Sequence, residues 1–200
     1  MLESGKPKAD DEEKSNEELM LDSVGCTANV VYINKEEGKI YVVNAGDSRC
    51  TMGKERKAVE MSVDHKPESQ IEIDRIEKAG SIITEGRVDG NLNLTRSLGD
   101  LKYKQREHLT PEEQAITCNP DVYVFDYSPD IDFIIMGCDG IWEKKNNDEM
   151  VEYIYEKLDQ NLPIKQIVSD LLLDTIASDV ASCQGIGCDN MTCILIKFTK

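Results

Sequence analysis

Three aspartates in this 200-residue chain share a local setting that could hold a metal ion. In Ala45-Gly46-Asp47, Gly137-Cys138-Asp139 and Gly187-Cys188-Asp189, small residues and then an Asp stand beside a β-rich run, after Val43, after Met136 and before Met191. A fourth case, Leu98-Gly99-Asp100, lies in a loop-like stretch. A carboxylate at the end of a buried strand is held rigidly by the sheet and points into the space beyond it. Small neighbours leave room there for a hydrated ion. Hard cations such as Mg²⁺ and Mn²⁺ take oxygen ligands and keep several waters, so few carboxylates are needed per ion. Asp after Gly is also ordinary turn chemistry, and Asp139-Gly140 is a common turn dipeptide. The recurrence within one chain favours a site, while its reaction stays open.

The elements that must position these acids are short. Thr27 to Ile33 is rich in β-branched residues, and Asn34-Lys35-Glu36-Glu37-Gly38 turns it into Ile40 to Val43, which predicts a hairpin. Arg49 to Met52 predicts a third strand. Pro67 to Lys78, closed by Gly80, predicts a helix, and Thr110-Pro111-Glu112-Glu113 a short helical turn with a capping box. Asp121 to Tyr127 alternates, and Phe133 to Met136 is a continuous apolar run, predicting a strand buried on both faces. Two amphipathic helices follow, on the stripes Met150, Val151, Ile154, Leu158 and Ile164, Ile167, Val168, Leu171, Leu172. Met191 to Phe198 is a last strand. Strands, then helices, then a strand predict antiparallel sheets covered by helices, an α+β fold.

Composition narrows the function. A net charge of −16 excludes unaided binding to nucleic acid, whose phosphates it would repel. No window approaches a membrane span, and the N-terminus lacks a signal-peptide core, so the expectation is a soluble protein of the cytoplasm or nucleus. The seven cysteines include no Cys-x-x-Cys pair. Cys183, Cys188 and Cys193 recur every five residues, poor spacing for a zinc knuckle, and reduced, partly buried thiols are predicted. Residues 1–22 carry eight acids against three lysines and few large apolar residues, which predicts a disordered acidic linker or tail. Its functional alternative is a docking site for a basic partner. Residues 23–200 form the folded part.

At these same positions the chain resembles the type 2C metal-dependent serine/threonine protein phosphatases. The resemblance rests on Gly25-Cys26-Thr27-Ala28, Asn44-Ala45-Gly46-Asp47-Ser48-Arg49, Asp64-His65-Lys66-Pro67, the helix from Glu72 to Gly80, Arg96-Ser97-Leu98-Gly99-Asp100, Cys138-Asp139-Gly140-Ile141-Trp142 and Asp189-Asn190-Met191-Thr192. Pro111-Glu112-Glu113-Gln114 and the segment from Gly187 to Cys193 look most like the gamma-type members, whose long acidic insertion would account for residues 1–22. The resemblance implies an αββα sandwich of two antiparallel sheets flanked by helices, here incomplete at its N-terminal side. It implies two Mg²⁺ or Mn²⁺ ions, with a third, weaker position, and a metal-bridging water that attacks the phosphorus of phosphoserine or phosphothreonine in phosphoprotein substrates. By motif match Asp139 and Asp189 are metal ligands, and Asp47 belongs to the third position. Glu143 stands where the family has Asp, which puts its contribution there in doubt. His65 is expected to be a structural turn residue, Arg49 and Arg96 to form ion pairs, Trp142 to lie in the core, and Gly80 to Gly90 to form a flap near the site.

The family's N-terminal half supplies a Glu, a phosphate-binding Arg and an Asp-Gly-His-Gly motif with the general-acid His. The pairs Asp89-Gly90 and Asp139-Gly140 are not followed by His. The expectation is therefore a phosphatase whose 200 residues alone are inactive. The alternative is a non-catalytic regulatory or binding module on the same fold.

Overall fold

A computed structural model describes residues 22–199. The acidic stretch read from the sequence therefore lies, but for Asp22, outside the described residues. Among the described residues from Gly25 onward, eleven strands and three α-helices follow in chain order, beginning with β1 (Gly25–Cys26), β2 (Ala28–Asn34), β3 (Lys39–Ala45), β4 (Arg49–Lys54) and β5 (Lys57–Glu60). Helix α1 (Gln70–Lys78) leads to the short strands β6 (Ile83–Thr84), β7 (Arg87–Val88) and β8 (Leu98–Gly99). Then come β9 (Asp121–Asp126), β10 (Ile131–Gly137), α2 (Asn147–Asp159), α3 (Ile164–Thr175) and β11 (Cys193–Lys197).

The predicted hairpin is β2–β3, in register from Ala28 opposite Ala45 to Asn34 opposite Lys39. With β9 it makes a three-stranded antiparallel sheet. A second antiparallel sheet runs β11-β10-β4-β5. Ile40 and Val42 of the first sheet meet Cys50, Met52, Ile134 and Met136 of the second in one buried cluster. Phe133 and Ile135, on the opposite face of β10, pack against Met150, Val151 and Ile154 of α2 and Ile167 and Leu171 of α3. Strand β10 is thus buried on both faces, as its unbroken apolar run requires. The layers are helices, sheet, sheet, and the outer face of the three-stranded sheet is open: Val30, Tyr32, Val122 and Val124 are each more than half exposed. This is an incomplete αββα sandwich.

Two predicted helical starts differ. Helix α1 begins at Gln70 rather than Pro67, because Lys66 to Ser69 forms a turn in which the Ser69 amide donates to the Lys66 carbonyl. Thr110 to Glu113 closes one turn, in which Thr110 N–H donates to the Glu113 carboxylate but the Glu113 N–H donates to the Thr110 carbonyl rather than its hydroxyl, so only the Glu half of the predicted capping box is made. The genuine capping box is at α2, where Asn146 and Glu149 exchange side-chain and backbone bonds.

Candidate metal centre

Register brings the three aspartates to one end of the sandwich. In the four-stranded sheet Gly137 of β10 lies between Arg49 of β4 and Cys193 of β11, and this row marks the sheet's end. Asp47 lies two residues before Arg49, Asp139 two after Gly137, and Asp189 four before Cys193. All three therefore leave the sheets on the same side. Gly140 permits the closest approach: a Cβ there would stand 2.5 Å from the Asn190 carbonyl oxygen and 3.3 Å from Asp189 Cβ.

Each acid is held differently. Asp47 is buried and accepts a 2.5 Å hydrogen bond from Lys66 Nζ. Asp139 opens a single 3₁₀ turn and takes the Gly140 amide on Oδ1 at 2.9 Å. Asp189 is exposed and takes the Asn190 amide at 2.6 Å. Burial, then the negative charges of Asp47 and Asp189, hold the Asp139 carboxyl above the ordinary carboxylate range, against the opposing pull of Lys66. Asp139 thus lies in the field of the other two carboxylates, the electrostatic condition a cation would relieve. Among the described residues, no group of three or more His, Cys, Asp and Glu side chains is close enough to hold a metal ion by itself. The donors are all oxygen, as hard cations require, so the set fits part of such a cage.

The carboxylate of Glu143 meets the loop just before Asp189. Its Oε2 accepts the Gly187 amide at 2.5 Å and so fastens the loop that leads into Asp189. Asp100 is buried and accepts from Ser97 Oγ at 2.6 Å, beside the short β1–β8 pair.

Behind Asp47 lies a buried polar chain that the sequence only partly discloses. The Gly46 amide donates to His65 Nδ1 at 3.0 Å, and the His65 amide returns a bond to the Gly46 carbonyl. Because Nδ1 accepts, the neutral ring carries its proton on Nε2, 3.0 Å from Asp121 Oδ2. Arg96 donates to Asp121 Oδ1 at 2.8 Å and to Glu72 Oε1 at 2.6 and 3.0 Å. Glu72 Oε2 accepts from Arg75 and from Thr95 Oγ1, both at 2.6 Å. His65 and Arg96 are thus structural, as expected. Arg49 pairs with Asp64 at 2.7 and 3.0 Å and lies over the buried Trp142 ring. Residues 80–90 form the β6–β7 hairpin, tied by Asp89 to Ser81 and Ile82. Glu72, a structural support of this chain, is the member least legible in the sequence. Its one signal is a carboxylate one helical turn from the buried Ile76.

With the fold and this geometry established, comparison with known proteins decides the family. The protein phosphatase 2C family model matches residues 2–183. The chain belongs to that family. It is 42% identical over 88% of its length to a probable protein phosphatase 2C of Arabidopsis thaliana, and spans 48% of that relative. It is 44% identical to human protein phosphatase 1G over 87% of its own length and 33% of the relative's. A crystal structure of a serine-threonine phosphatase 2C from Toxoplasma gondii shares the fold, with a TM-score of 0.71 at 22% identity, covering 92% of this chain and 61% of that one. The chain spans about half the length of the curated relatives it matches. No helix among the described residues is long and apolar enough to cross a membrane.

Proposed function

We propose that this chain carries the C-terminal share of the active site of a metal-dependent serine/threonine protein phosphatase. The observation that carries the reading is the convergence of Asp47 and Asp189 on Asp139, whose carboxyl their charges help to raise. Asp139 and Asp189 would hold Mg²⁺ or Mn²⁺, with Asp47 serving a further position. Glu143 would join that position through Oε1, since Oε2 holds the Gly187 amide. Bound divalent cations supply charge neutralisation for a phosphoryl group and activation of water. Lys66 pairs with Asp47 and aims it, and the His65 pair with Gly46 fixes the backbone from which Asp47 projects. The substrates are phosphoserine and phosphothreonine in proteins. Similarity to human protein phosphatase 1G, together with the Pro111 to Gln114 and Gly187 to Cys193 segments, supports a gamma-type member. Free thiols throughout the described cysteines suit the cytoplasm or nucleus.

The 200 residues alone are proposed to be inactive, because the carboxylates present make only part of a two-ion cage. The test is Mn²⁺-dependent hydrolysis of a phosphothreonine peptide by this chain, alone and joined to the N-terminal half of a family member. Turnover only when joined supports the reading. Inactivity of the folded, joined protein would overturn the catalytic assignment, and a substantial rate from the chain alone would overturn the split site.

A further inference from the structure

Two cysteines that the metal site does not use stand in contact. Cys183 Sγ and Cys188 Sγ are 3.0 Å apart on the loop between α3 and β11. The approach is built by the backbone. The Ile186 amide donates to the Cys183 carbonyl and the Cys188 amide to the Gly185 carbonyl, so two successive turns fold six residues back on themselves. Gln184, Gly185 and Gly187 take φ of +54°, +90° and +77° to allow it. The Cys188 end is clamped: the Gly187 amide donates to Glu143, and its carbonyl accepts the Ala177 amide at 2.9 Å. The Cys183 end is exposed but turned on Asp179, which accepts the Ala181 amide at 3.0 Å and Ser182 Oγ at 2.7 Å, so adjustment falls to the Cys183 side chain and the exposed Gln184. Cys188 is exposed and Cys183 half-buried, so a small oxidant reaches both.

We propose that Cys183 and Cys188 are a redox modification site, a dithiol that peroxide converts to an intramolecular disulfide next to Asp189. The step balances in two stages. One thiol attacks the peroxide and becomes a sulfenic acid, with loss of one water. The second thiol then displaces hydroxide from that sulfur, forming the S–S bond with loss of a second water. The two thiols lose two electrons and two protons, and hydrogen peroxide is reduced to two waters. The separation must close by about 1 Å to reach bonding distance. Rotation of the Cys183 side chain supplies that movement, and the Gly187 clamp keeps it from Asp189.

Contact between two thiols, not acidity, sets the site apart, because the Cys188 thiol is itself held above its ordinary range by its hydrogen bond with Cys183. Burial pushes the Cys50 and Cys193 thiols up to about 12, which leaves them protonated and unreactive. Cys26 and Cys118 are exposed but pair with no described cysteine.

The experiment uses the full 200-residue chain, treated with hydrogen peroxide, alkylated in denaturant and digested with a protease that cuts before Asp. Cleavage before Asp179 and Asp189 isolates residues 179–188, with Cys183 and Cys188 and no other cysteine. That peptide is expected to appear unalkylated and lighter by the mass of two hydrogens, and dithiothreitol is expected to restore it. In Cys183→Ser the loss of two hydrogens should vanish, and Cys188 should carry added oxygen or a sulfenic-acid label. The proposal is overturned if residues 179–188 stay reduced while Cys26 or Cys118 reacts, or if either cysteine is found linked to a different one. It is equally overturned if Cys183→Ser still forms a disulfide at Cys188. The unsubstituted chain gives its answer whatever the variant's folding.

Discussion

Replacing Glu72 with Gln should destabilise this fold more than any change at the candidate site. The carboxylate is 2% exposed and accepts four hydrogen bonds, from Arg75, Thr95 and twice from Arg96. Its partners are buried too, with Arg75 12% and Arg96 9% exposed at their side chains. Gln is nearly isosteric, but it removes the charge and turns one acceptor into a donor facing donors. Breaking a buried ion pair costs about 3–5 kcal/mol. Arg96 keeps Asp121 and Arg75 keeps three backbone carbonyls, so the lower end, about 3 kcal/mol, is expected. For a chain of this size that lowers Tm by roughly 10 °C.

The pH dependence separates charge from shape. Burial opposes ionisation of Glu72, but the bonds from Arg96 and Thr95 and the charges of Arg75 and Arg96 outweigh it and hold the carboxyl below its usual range. A depressed acid contributes stability that is fully present above its unfolded value of about 4.3 and is lost as pH falls through the folded value. Urea unfolding of both proteins, followed by circular dichroism, should therefore show the full gap at neutral pH and a narrowing gap below about pH 4.3. A gap under about 1 kcal/mol at pH 7, typical of an exposed pair, would refute the buried-network argument. So would a gap that does not change with pH.

Other substitutions probe the metal centre and its supports. Asp139→Asn removes a charge that burial, Asp47 and Asp189 all disfavour, so the metal-free Tm should hold or rise while any Mn²⁺-induced rise in Tm disappears. Glu143→Ala should speed hydrogen exchange at the Gly187 amide and leave the Mn²⁺ response intact, since that carboxylate is already engaged by the loop. Gly187→Ala places a Cβ 2.3 Å from the Thr175 carbonyl oxygen at φ +77°, and should cost about 1–3 kcal/mol in urea unfolding.

Much of this architecture was legible where local and tertiary demands agree. The hairpin announced itself through β-branched strands around a turn closing on Gly38, and β10 through an apolar run that only two covering layers can bury. The stripes of α2 and α3 named the residues that meet Phe133 and Ile135. Legibility failed where long-range contacts decide. The Pro67 signal for a helix start was overridden, since Pro disfavours helical backbone at Lys66 and His65 and Lys66 are tied to Gly46 and Asp47. At Thr110 only the Glu113 half of the predicted capping box formed, and one turn with little apolar surface does not propagate. Glu72 and Arg75 are i,i+3 neighbours on α1, but Arg96 lies 24 positions beyond Glu72 and Asp121 another 25, and no local pattern reveals that these meet.

The same distinction explains the division of labour around the aspartates. Three like charges brought together oppose folding, so the elements presenting them must be stabilised elsewhere. Asp47 rests on the His65–Asp121–Arg96–Glu72 chain, which runs back to α1. Asp139 rests on β10, buried between two layers, and Asp189 on a loop pinned by Glu143 and Ala177. None of these supports is itself a candidate metal ligand, except Glu143, whose carboxylate the loop already uses. The scaffold can therefore persist without an ion while the carboxylates stay mutually unfavourable. That is the arrangement in which a bound cation gains most, because it relieves a repulsion that folding has already imposed.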